Sequence, residues 1–332
     1  MLLIQGGATV EQRNLGRTGL SVSAIGFGCG SVGGLMVRGD QRDQVTAVQR
    51  ALDAGITYFD TAPSYGNGVS EESLGRVMRE LGARDRVVVG TKLRLAPGDL
   101  ADVKGAVSAS LEASLRRLQM DHVDLIQVHN QLAGSSDDGG LGAGDLVGPV
   151  VDAIRDAIAG GLARFAGFTG LGETSAILSA IESGRLDTMQ SYFNALNPSA
   201  GFAGRSGGAQ DFGGAIDAAA SRGLGVIAIR VLAAGAVAGP ERAPNAGGSG
   251  GALAGGGDFE GDVARGQRLA PLARELGLEN GAELAVRFAL AKPGVSTVMV
   301  GLSTLDQLDD ALRWAEKGPL SASAVESVLK SL

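Results

Sequence analysis

The sequence has few of the residues that build disulfide frameworks or zinc sites. Its 332 residues include one cysteine, Cys29, and two histidines, His122 and His129. One thiol cannot form an internal disulfide, and zinc sites draw mainly on cysteine and histidine. We therefore expect neither a disulfide framework nor a bound metal.

The sequence also lacks long hydrophobic runs and an excess of positive charge. No stretch approaches the ~18 apolar residues of a spanning helix, and the short apolar run near the N-terminus has no basic segment before it, unlike a secretory signal. With 29 Lys and Arg against 36 Asp and Glu, the net charge is −7 and the two signs are interspersed. We expect a cytoplasmic protein with a small-molecule ligand and without a nucleic acid or membrane partner.

Glycine, in contrast, is abundant: 54 of the 332 residues, about twice the usual share of ~7%. Much of the excess lies in 131–148, 198–214 and 235–261, which predict long flexible loops. Nothing in the sequence indicates an oligomeric state, because Trp314 and a C-terminal helix over 322–332 suit barrel packing and an interface equally well.

Short β-rich runs alternate with amphipathic helical runs along the chain. A hairpin over 13–22, turning near Thr18-Gly19, is followed by strands over 24–28, 57–60, 86–92, 123–129, 163–169, 188–193, 225–231 and 296–301, with a helix after each. Helices between consecutive strands imply parallel pairing, and eight βα units close into a barrel. The pattern predicts one α/β domain over 1–332, a (β/α)8 TIM barrel with an N-terminal hairpin and long loops at its C-terminal face.

A doubly wound open sheet is the alternative fold. Gly28 to Gly33, GCGSVG, matches the G-x-G-x-x-G pattern of dinucleotide-binding proteins directly after a strand. The helix that should begin within that motif is missing. We therefore interpret the motif as a tight glycine turn at the top of the first barrel strand.

Four reactive side chains follow three neighbouring strands. Asp60 ends the second strand, Tyr65 lies in the loop after it, and Lys92 and His129 end the third and fourth. Active sites of such barrels lie at the carboxyl ends of the strands, so these side chains should converge. A tyrosine titrates at about pH 10 unless its phenolate is stabilised; a lysine ammonium fixed by a carboxylate supplies that stabilisation, and a histidine can orient a carbonyl. The set predicts proton donation to a carbonyl oxygen as a hydride reaches its carbon.

Each of the four residues has another interpretation when taken alone. Asp60 could cap a turn, Tyr65 could be a packing residue, and His129 could be a satisfied polar residue. Lys92 could form a Schiff base, as in some aldolases. His122 precedes its strand and is expected at the opposite rim. The occurrence of all four side chains at adjacent strand ends favours the catalytic interpretation.

The segments around this cluster resemble the aldo-keto reductases. The similarity lies in GITYFDTA over 55–62, Tyr65-Gly66, Ser70-Glu71 and Leu74-Gly75, and it extends from NLGRTGLSVSAIGFG near the start to GLSTLDQL near the end. The resemblance implies a (β/α)8 barrel and hydride transfer from NADPH, less often NADH, without metal or flavin. It also implies a catalytic tetrad formed by Asp60, Tyr65, Lys92 and His129.

The resemblance implies cofactor contacts after strands five and six. Gln190 matches the glutamine that binds the nicotinamide carboxamide, and Thr169 matches the usual serine. Gly170 replaces the usual asparagine and cannot make its hydrogen bond.

The segment after strand seven departs further from the family. Aligned on Leu232 and Gly235, Ile229 takes the place of the tyrosine that stacks on the nicotinamide, and Arg230 takes the place of a serine. Arg230 could hold the cofactor pyrophosphate, a substrate carboxylate or a nearby acidic side chain.

The remaining expected cofactor contacts lie at or after the ends of strands one, two and eight. They are Gly28, Cys29, Gly30, Asp60, Gly301, Ser303, Gln307 and Asp310. Gln307 stands where many NADPH-specific members have an arginine, whereas a 2′-phosphate prefers a bidentate cation. The segment weakens the NADPH default and leaves NADP(H) and NAD(H) both open.

The leading hypothesis is an NAD(P)(H)-dependent oxidoreductase acting on an aldehyde, a ketone or a sugar carbonyl or hydroxyl. A cofactor-binding regulatory subunit with little or no turnover, as some relatives are, is the second hypothesis, and a Schiff-base lyase is the third. The loops after strands four, six and seven contain only Phe202, Phe212 and Phe259 as aromatics, which favours a small or polar substrate. The general pattern, including VHN at 128–130, is similar to bacterial aldose and galactose dehydrogenase-type members, which oxidise sugars.

Overall fold

Eight parallel strands form a closed barrel in the computed structural model, which describes residues 10–136, 140–239, 245–247 and 259–332. The strands are β1 (Ile25–Gly28), β2 (Tyr58–Asp60), β3 (Val88–Leu93), β4 (Val123–Val128), β5 (Ala163–Gly170), β6 (Thr188–Tyr192), β7 (Gly225–Ile229) and β8 (Val295–Gly301). The barrel closes where β8 pairs with β1, with Val298 opposite Ile25. The predicted (β/α)8 barrel is confirmed, and the open-sheet alternative is wrong. A single domain over 1–332 remains a prediction.

One helix lies between each strand and the next around the barrel. They are α1 (Gln41–Asp53), α2 (Val69–Glu80), α3 (Val103–Leu118), α4 (Val151–Ala159), α5 (Thr174–Glu182), α6 (Ala215–Ser221), α7 (Gly281–Leu290) and, after β8, α8 (Leu305–Glu316). Four of them, α1, α3, α7 and α8, begin at capping side chains that satisfy free backbone N–H groups. Asp40 accepts from the N–H of Arg42, and Thr304 accepts from the N–H of Gln307.

The N-terminal hairpin covers the amino end of the barrel. Strands Gln12–Asn14 and Ser21–Ser23 pair antiparallel, and Gly19 turns between them with φ 72°, a left-handed conformation that suits glycine. Leu15 is fully buried, and a Cβ on Gly225 would lie 2.6 Å from its side chain. The predicted hairpin is therefore confirmed, and its side chains close one end of the barrel core.

Further short elements lie outside this framework of eight strands and eight helices. Additional helices span Leu35–Arg38, Ala143–Asp145, Phe259–Glu275 and Ala322–Lys330; 3-10 helices span Gly16–Thr18, Arg84–Arg86, Pro97–Ala101 and Ala233–Ala238; a π-helical turn spans Leu146–Val150. Strands Leu132–Ala133 and Leu141–Gly142 pair with each other. In the segment predicted as a long flexible loop over 131–148, this pair and the helical turns occupy much of the described part, and residues 137–139 lie outside it.

The other two glycine-rich segments have less regular structure. Residues 198–214 contain neither helix nor strand, yet Phe212 N–H donates to Ser199 Oγ at 2.9 Å and Asn197 Nδ2 donates to the Gln210 carbonyl at 2.9 Å. In the segment predicted as a loop over 235–261, residues 240–244 and 248–258 lie outside the described part. No helix among the described residues is long and apolar enough to cross a membrane.

Candidate active site

The Asp60 carboxylate is the centre of a hydrogen-bond network inside the barrel. It is 4% exposed. Its Oδ1 accepts from the Tyr58 hydroxyl at 3.0 Å, from Gln127 Nε2 at 3.0 Å and from Gln190 Nε2 at 2.7 Å. Burial, then the Asp60 charge, raises the pKa of Tyr58 well above its usual range, so Tyr58 stays a donor. Three neutral donors thus fix one carboxylate oxygen and leave the other for a cation.

That cation is the Lys92 ammonium, which is buried and pairs with Asp60 Oδ2. Lys92 Nζ also donates to the Thr61 carbonyl at 2.9 Å. Burial lowers the pKa of Lys92, but the Asp60 carboxylate and the Tyr65 hydroxyl outweigh it, and the net pKa is raised. A Schiff-base lysine must react as the neutral amine, so this environment disfavours the lyase hypothesis.

Tyr65 and His129 meet Lys92 at the mouth of the barrel. Lys92 Nζ lies 4.8 Å from the centre of the Tyr65 ring, and the Tyr65 and His129 rings contact edge to face with centres 6.1 Å apart. Burial, followed by the positive charges of Lys92, Arg94 and Arg230, lowers the pKa of His129 to about 3. His129 is therefore neutral at physiological pH. The structure brings all four predicted side chains together.

Ser70, in the first turn of α2, fastens the loop that carries Tyr65. Its N–H donates to the Tyr65 carbonyl at 3.2 Å, and its hydroxyl donates to the Cys29 carbonyl at 2.9 Å. The Ser70 and Thr61 hydroxyls are 2.8 Å apart, and both residues are fully buried. Because the Thr61 carbonyl also accepts from Lys92, Ser70 links the Tyr65 loop to the lysine.

Glu71, the next residue of α2, fastens the strand that carries Lys92. Its carboxylate is fully buried and accepts from Thr91 Oγ1 and from Arg117 Nε, each at 2.6 Å. Thr91 directly precedes Lys92 on β3. Two neighbouring helix residues thus hold the two sides of the candidate catalytic pair, Tyr65 and Lys92, at a fixed separation.

A cavity of about 610 Å³ opens beside this cluster. Tyr65, His129, Asp60 and Gln190 line one end of it. Most of the expected cofactor contacts line the same cavity, namely Gly28, Gly30, Arg230, Leu232, Gly235, Gly301, Ser303, Gln307 and Asp310. The volume lies within the range of small-molecule and cofactor sites.

Close backbone approach explains the glycine turn after β1. A Cβ on Gly28 would lie 2.8 Å from the Val300 carbonyl oxygen, and a Cβ on Gly33 would lie 2.5 Å from the Leu302 nitrogen. The turn brings the β1 and β8 loops together at the cavity wall, and α1 begins only at Gln41. The turn and the polar groups after β6 and β8 fit an elongated cofactor with an amide at one end.

Three expected cofactor residues do not line the cavity. Cys29 is 1% exposed within the hydrophobic core, and burial raises the pKa of its thiol. Thr169 is fully buried with its Oγ1 3.4 Å from Gln190 Oε1. Gly170 packs behind β6, where a Cβ would lie 3.1 Å from the Gln190 carbonyl oxygen. These three residues pack behind the residues that line the cavity.

The sequence did not predict the roles of several residues of the site. Tyr58 and Gln127 bind Asp60, and Asn280 and Trp314 line the cavity. A signal existed for the first two: Tyr58 precedes Asp60 by two positions on β2 and so faces the same side, and Gln127 is the register partner of Lys92. Asn280 is the N-cap of α7 and Trp314 lies in α8, where strand-end reasoning does not reach.

The loop aromatics divide between the core and the cavity. Phe212 is buried and stacks on Tyr192, with ring centres 5.3 Å apart, and Phe202 packs near Phe193 and Phe288. Phe259 alone of the three loop phenylalanines lines the cavity. Within the described residues, no group of three His, Cys, Asp or Glu side chains could hold a metal ion.

Comparisons with known proteins match this architecture. The Aldo/keto reductase family model matches residues 24–331. The chain is 34% identical over 186 residues to L-galactose dehydrogenase of Arabidopsis thaliana, covering 55% of this chain and 56% of that one. It is 38% identical over 124 residues to a probable voltage-gated potassium channel subunit beta of Oryza sativa subsp. japonica, covering 36% and 37%. The matched segments thus span about half of these relatives or less.

A solved structure has the same fold. Aldo-keto reductase AKR11C1 from Bacillus halodurans, in its holo form, superposes with a TM-score of 0.72 at 24% identity and covers 97% of this chain and 96% of that one. Members of the family are generally NAD(P)H-dependent oxidoreductases. With a family match over nearly its whole length and an eight-stranded parallel barrel, the chain belongs to the aldo/keto reductase family.

Proposed function

We propose that this protein transfers a hydride between a nicotinamide cofactor and an aldehyde, a ketone or a sugar carbonyl or hydroxyl, with Tyr65 as general acid and base. The observation that carries the proposal is the buried Lys92–Asp60 ion pair beside the Tyr65 ring, next to a cavity that Tyr65 and His129 line. This arrangement supports proton transfer at a carbonyl oxygen.

The four side chains divide the work of that proton transfer. Tyr65 donates its proton to the carbonyl oxygen during reduction and accepts it from the hydroxyl during oxidation. The Lys92 ammonium, held by Asp60, stabilises the phenolate that Tyr65 leaves behind. Neutral His129 offers a ring N–H that orients the carbonyl oxygen. When bound, the nicotinamide cofactor supplies or accepts the hydride.

We further propose that the cofactor is NAD(H). Gln190 would hold the nicotinamide end, and Ser303, Gln307 and Asp310 would hold the adenosine end. Gln307 Oε1 accepts from the Ser303 N–H at 2.8 Å, and Asp310 brings a carboxylate to the wall. Among the described residues that line this end, none is a cation, so a 2′-phosphate would lack its usual partner.

The first test is the initial rate of NADH and NADPH oxidation with a panel of aldehydes and ketones, and of NAD+ and NADP+ reduction by free sugars. We expect turnover with a lower KM for NAD(H). Tyr65→Phe should reduce kcat by about 10²–10⁴-fold, the usual contribution of a general acid, without weakening cofactor binding. Tyr192→Phe, which removes a phenol outside the cavity wall, is the matched control. Full activity in Tyr65→Phe would disprove the mechanism.

A cofactor-binding regulatory subunit is the second candidate function. The similarity to a probable potassium channel subunit beta favours it, because the same barrel and side chains could bind the cofactor without rapid chemistry. Tight cofactor binding without turnover on the whole panel would favour this function over the first.

A further inference from the structure

The wall of the active-site cavity contains a conspicuous cation. Among the described residues that line the cavity, Arg230 is the sole lysine or arginine, and Asp60 and Asp310 are the acidic ones. Arg230 directly follows β7, whose last residue is Ile229. Its guanidinium brings a positive charge to a mostly apolar cavity, where the attraction of an anionic ligand group is stronger than in water.

The Arg230 backbone adopts a strained conformation that the surrounding structure holds in place. Its φ is 58°, in the left-handed region that disfavours residues other than glycine. The Arg230 carbonyl accepts from Asn194 Nδ2 at 3.1 Å and from the Ala233 N–H at 2.8 Å. Strain maintained by specific hydrogen bonds is typical of functional positions. It fixes the point from which the arginine side chain enters the cavity.

The positive charge of Arg230 acts on a group at the nicotinamide end of the cavity. Its charge contributes to the lowered pKa of His129, after burial and the charges of Lys92 and Arg94. The charge therefore acts on His129, which lines the cavity beside Tyr65, and not only along the path toward Ser303 and Asp310.

We propose that Arg230 binds a carboxylate of the substrate, so that the preferred substrates are oxo acids, hydroxy acids or sugar acids. This inference rests on the proposed oxidoreductase function. The planar guanidinium matches a carboxylate with two parallel N–H···O bonds, which fixes the orientation of the substrate as well as its affinity. One such pair would set the distance between the acid group and the carbonyl carbon that faces Tyr65.

The experiment compares aliphatic ω-oxo carboxylates of increasing length with their methyl esters. In the wild-type protein we expect kcat/KM for the best acid to exceed that of its ester by about tenfold or more, as one charge-assisted bidentate pair allows. Arg230→Met should abolish the difference by raising KM for the acids alone, and Arg230→Lys should restore part of it. Arg94→Met, which removes an exposed charge outside the cavity wall, should keep the full preference.

A measurement of cofactor binding tests the alternative role of Arg230, which is to hold the cofactor pyrophosphate. The dissociation constant of NADH, followed by fluorescence, should be the same for the wild type and Arg230→Met. A large increase in Arg230→Met with no acid preference in the wild type would assign the arginine to the cofactor pyrophosphate and overturn the proposal.

A binding measurement separates failure of this proposal from failure of the proposed function. Titration of unreactive dicarboxylates into the NADH complex, by calorimetry, requires no turnover. Binding that Arg230→Met weakens by about tenfold or more supports the carboxylate site even if no substrate is turned over. Equal kcat/KM for acids and esters, or dicarboxylate binding that Arg230→Met leaves unchanged, overturns it.

Discussion

The two halves of the barrel are built in different ways. In the β1–β4 half, Asp60, Lys92 and the loop of Tyr65 are held by buried side-chain hydrogen bonds, with Ser70 and Glu71 reaching over from α2. In the β5–β8 half, the cavity wall comes from longer connections and from helices, with Arg230 in a left-handed conformation. The first half therefore holds the candidate catalytic side chains in a buried hydrogen-bond network, and the second half contributes Arg230 and other residues of the cavity wall.

Residue identities show the same contrast. The β1–β4 half keeps all four side chains that resemble the family tetrad. The β5–β8 half replaces expected polar or aromatic groups with Gly170, Ile229 and Arg230. We infer that the reaction type depends on the first half and that ligand selection depends on the second. Substitutions should therefore reduce kcat in one half and change KM ratios in the other.

The largest effect should follow from Lys92→Met. This change leaves the Asp60 carboxylate buried without its cation, which costs about 3–5 kcal/mol in the free energy of unfolding. It also removes the charge that stabilises the Tyr65 phenolate, so kcat should fall by at least about 10²-fold. Chemical denaturation and initial rates measure the two effects.

Lys104→Met is the matched control for that change. Lys104 pairs with Asp156 at 2.7 Å on the surface, with both side chains largely exposed. Its loss should leave both the free energy of unfolding and kcat almost unchanged, because solvent screens an exposed pair. Equal effects of the two substitutions would contradict the distinction between a buried catalytic pair and a surface pair.

A smaller effect should follow from Glu71→Gln, which tests whether α2 positions the pair. The change weakens the hydrogen bonds to Thr91 and Arg117, so Lys92 should lose its fixed distance from Tyr65. We expect kcat to fall about tenfold with KM unchanged, as small displacements of catalytic groups produce. Glu72→Gln, at the exposed neighbouring position, is the control.

A double-mutant cycle separates positioning from general destabilisation. Thr91→Val removes the same hydrogen bond from the other side. If Glu71 acts through Thr91, the two losses in log kcat should not add in the double variant. Additive losses, or a parallel rise in KM, would show that Glu71 does not act on Lys92 by this route.

The smallest effect concerns His129 and pH. The pKa of His129 is about 3, against an ordinary 6.5, so the unfolded chain binds the proton more tightly than the folded one. The neutral, buried His129 therefore contributes fully to the free energy of unfolding above pH 6.5. This contribution is lost as the pH falls from 6.5 toward 3, because protonation favours the unfolded chain. Denaturation at about pH 8, 6 and 4.5 should show this slope, and His129→Gln should lack it.

The pH dependence of enzyme activity tests the protonation state of His129 independently. Because His129 stays neutral, its titration should cause no transition near pH 6.5 in the pH profile of kcat/KM. The profiles of the wild type and of His129→Gln should therefore have the same shape in this range. A transition there would mean that His129 titrates in the free enzyme, and that the β1–β4 half is more open to water than the structure indicates.

The sequence predicted the barrel and the cluster of Asp60, Tyr65, Lys92 and His129, because both depend on regular features. Strands alternate with helices, and strand ends in a parallel barrel meet on one face. The contribution of α2 was not predicted. Ser70-Glu71 belongs to the segments that resemble the family, but the resemblance assigned no role to either residue, and their spacing carries no signal of contact with β3 and the β2 loop.

The cavity wall was predicted less well than the cluster. Gln190 and Gln307 were expected and line it, whereas Cys29, Thr169 and Gly170 were expected there and lie behind it. Trp314 is buried in the core, as the packing role considered for it requires, and it also lines the cavity from α8. Whether a loop residue faces a cavity or the core depends on contacts between segments far apart in the chain, which a local pattern does not contain.

The N-terminal hairpin also has a consequence for folding. Arg13 Nη1 lies 3.4 Å from the Leu290 carbonyl and 3.3 Å from that of Val295, and Arg17 Nη2 donates to the Leu186 carbonyl at 2.7 Å. The hairpin therefore completes these contacts only with residues as far along the chain as Leu186, Leu290 and Val295, and contacts over such sequence separations form slowly. The hairpin can dock fully only after β8 has closed the barrel by pairing with β1. Docking of the hairpin therefore marks the completed assembly of the barrel.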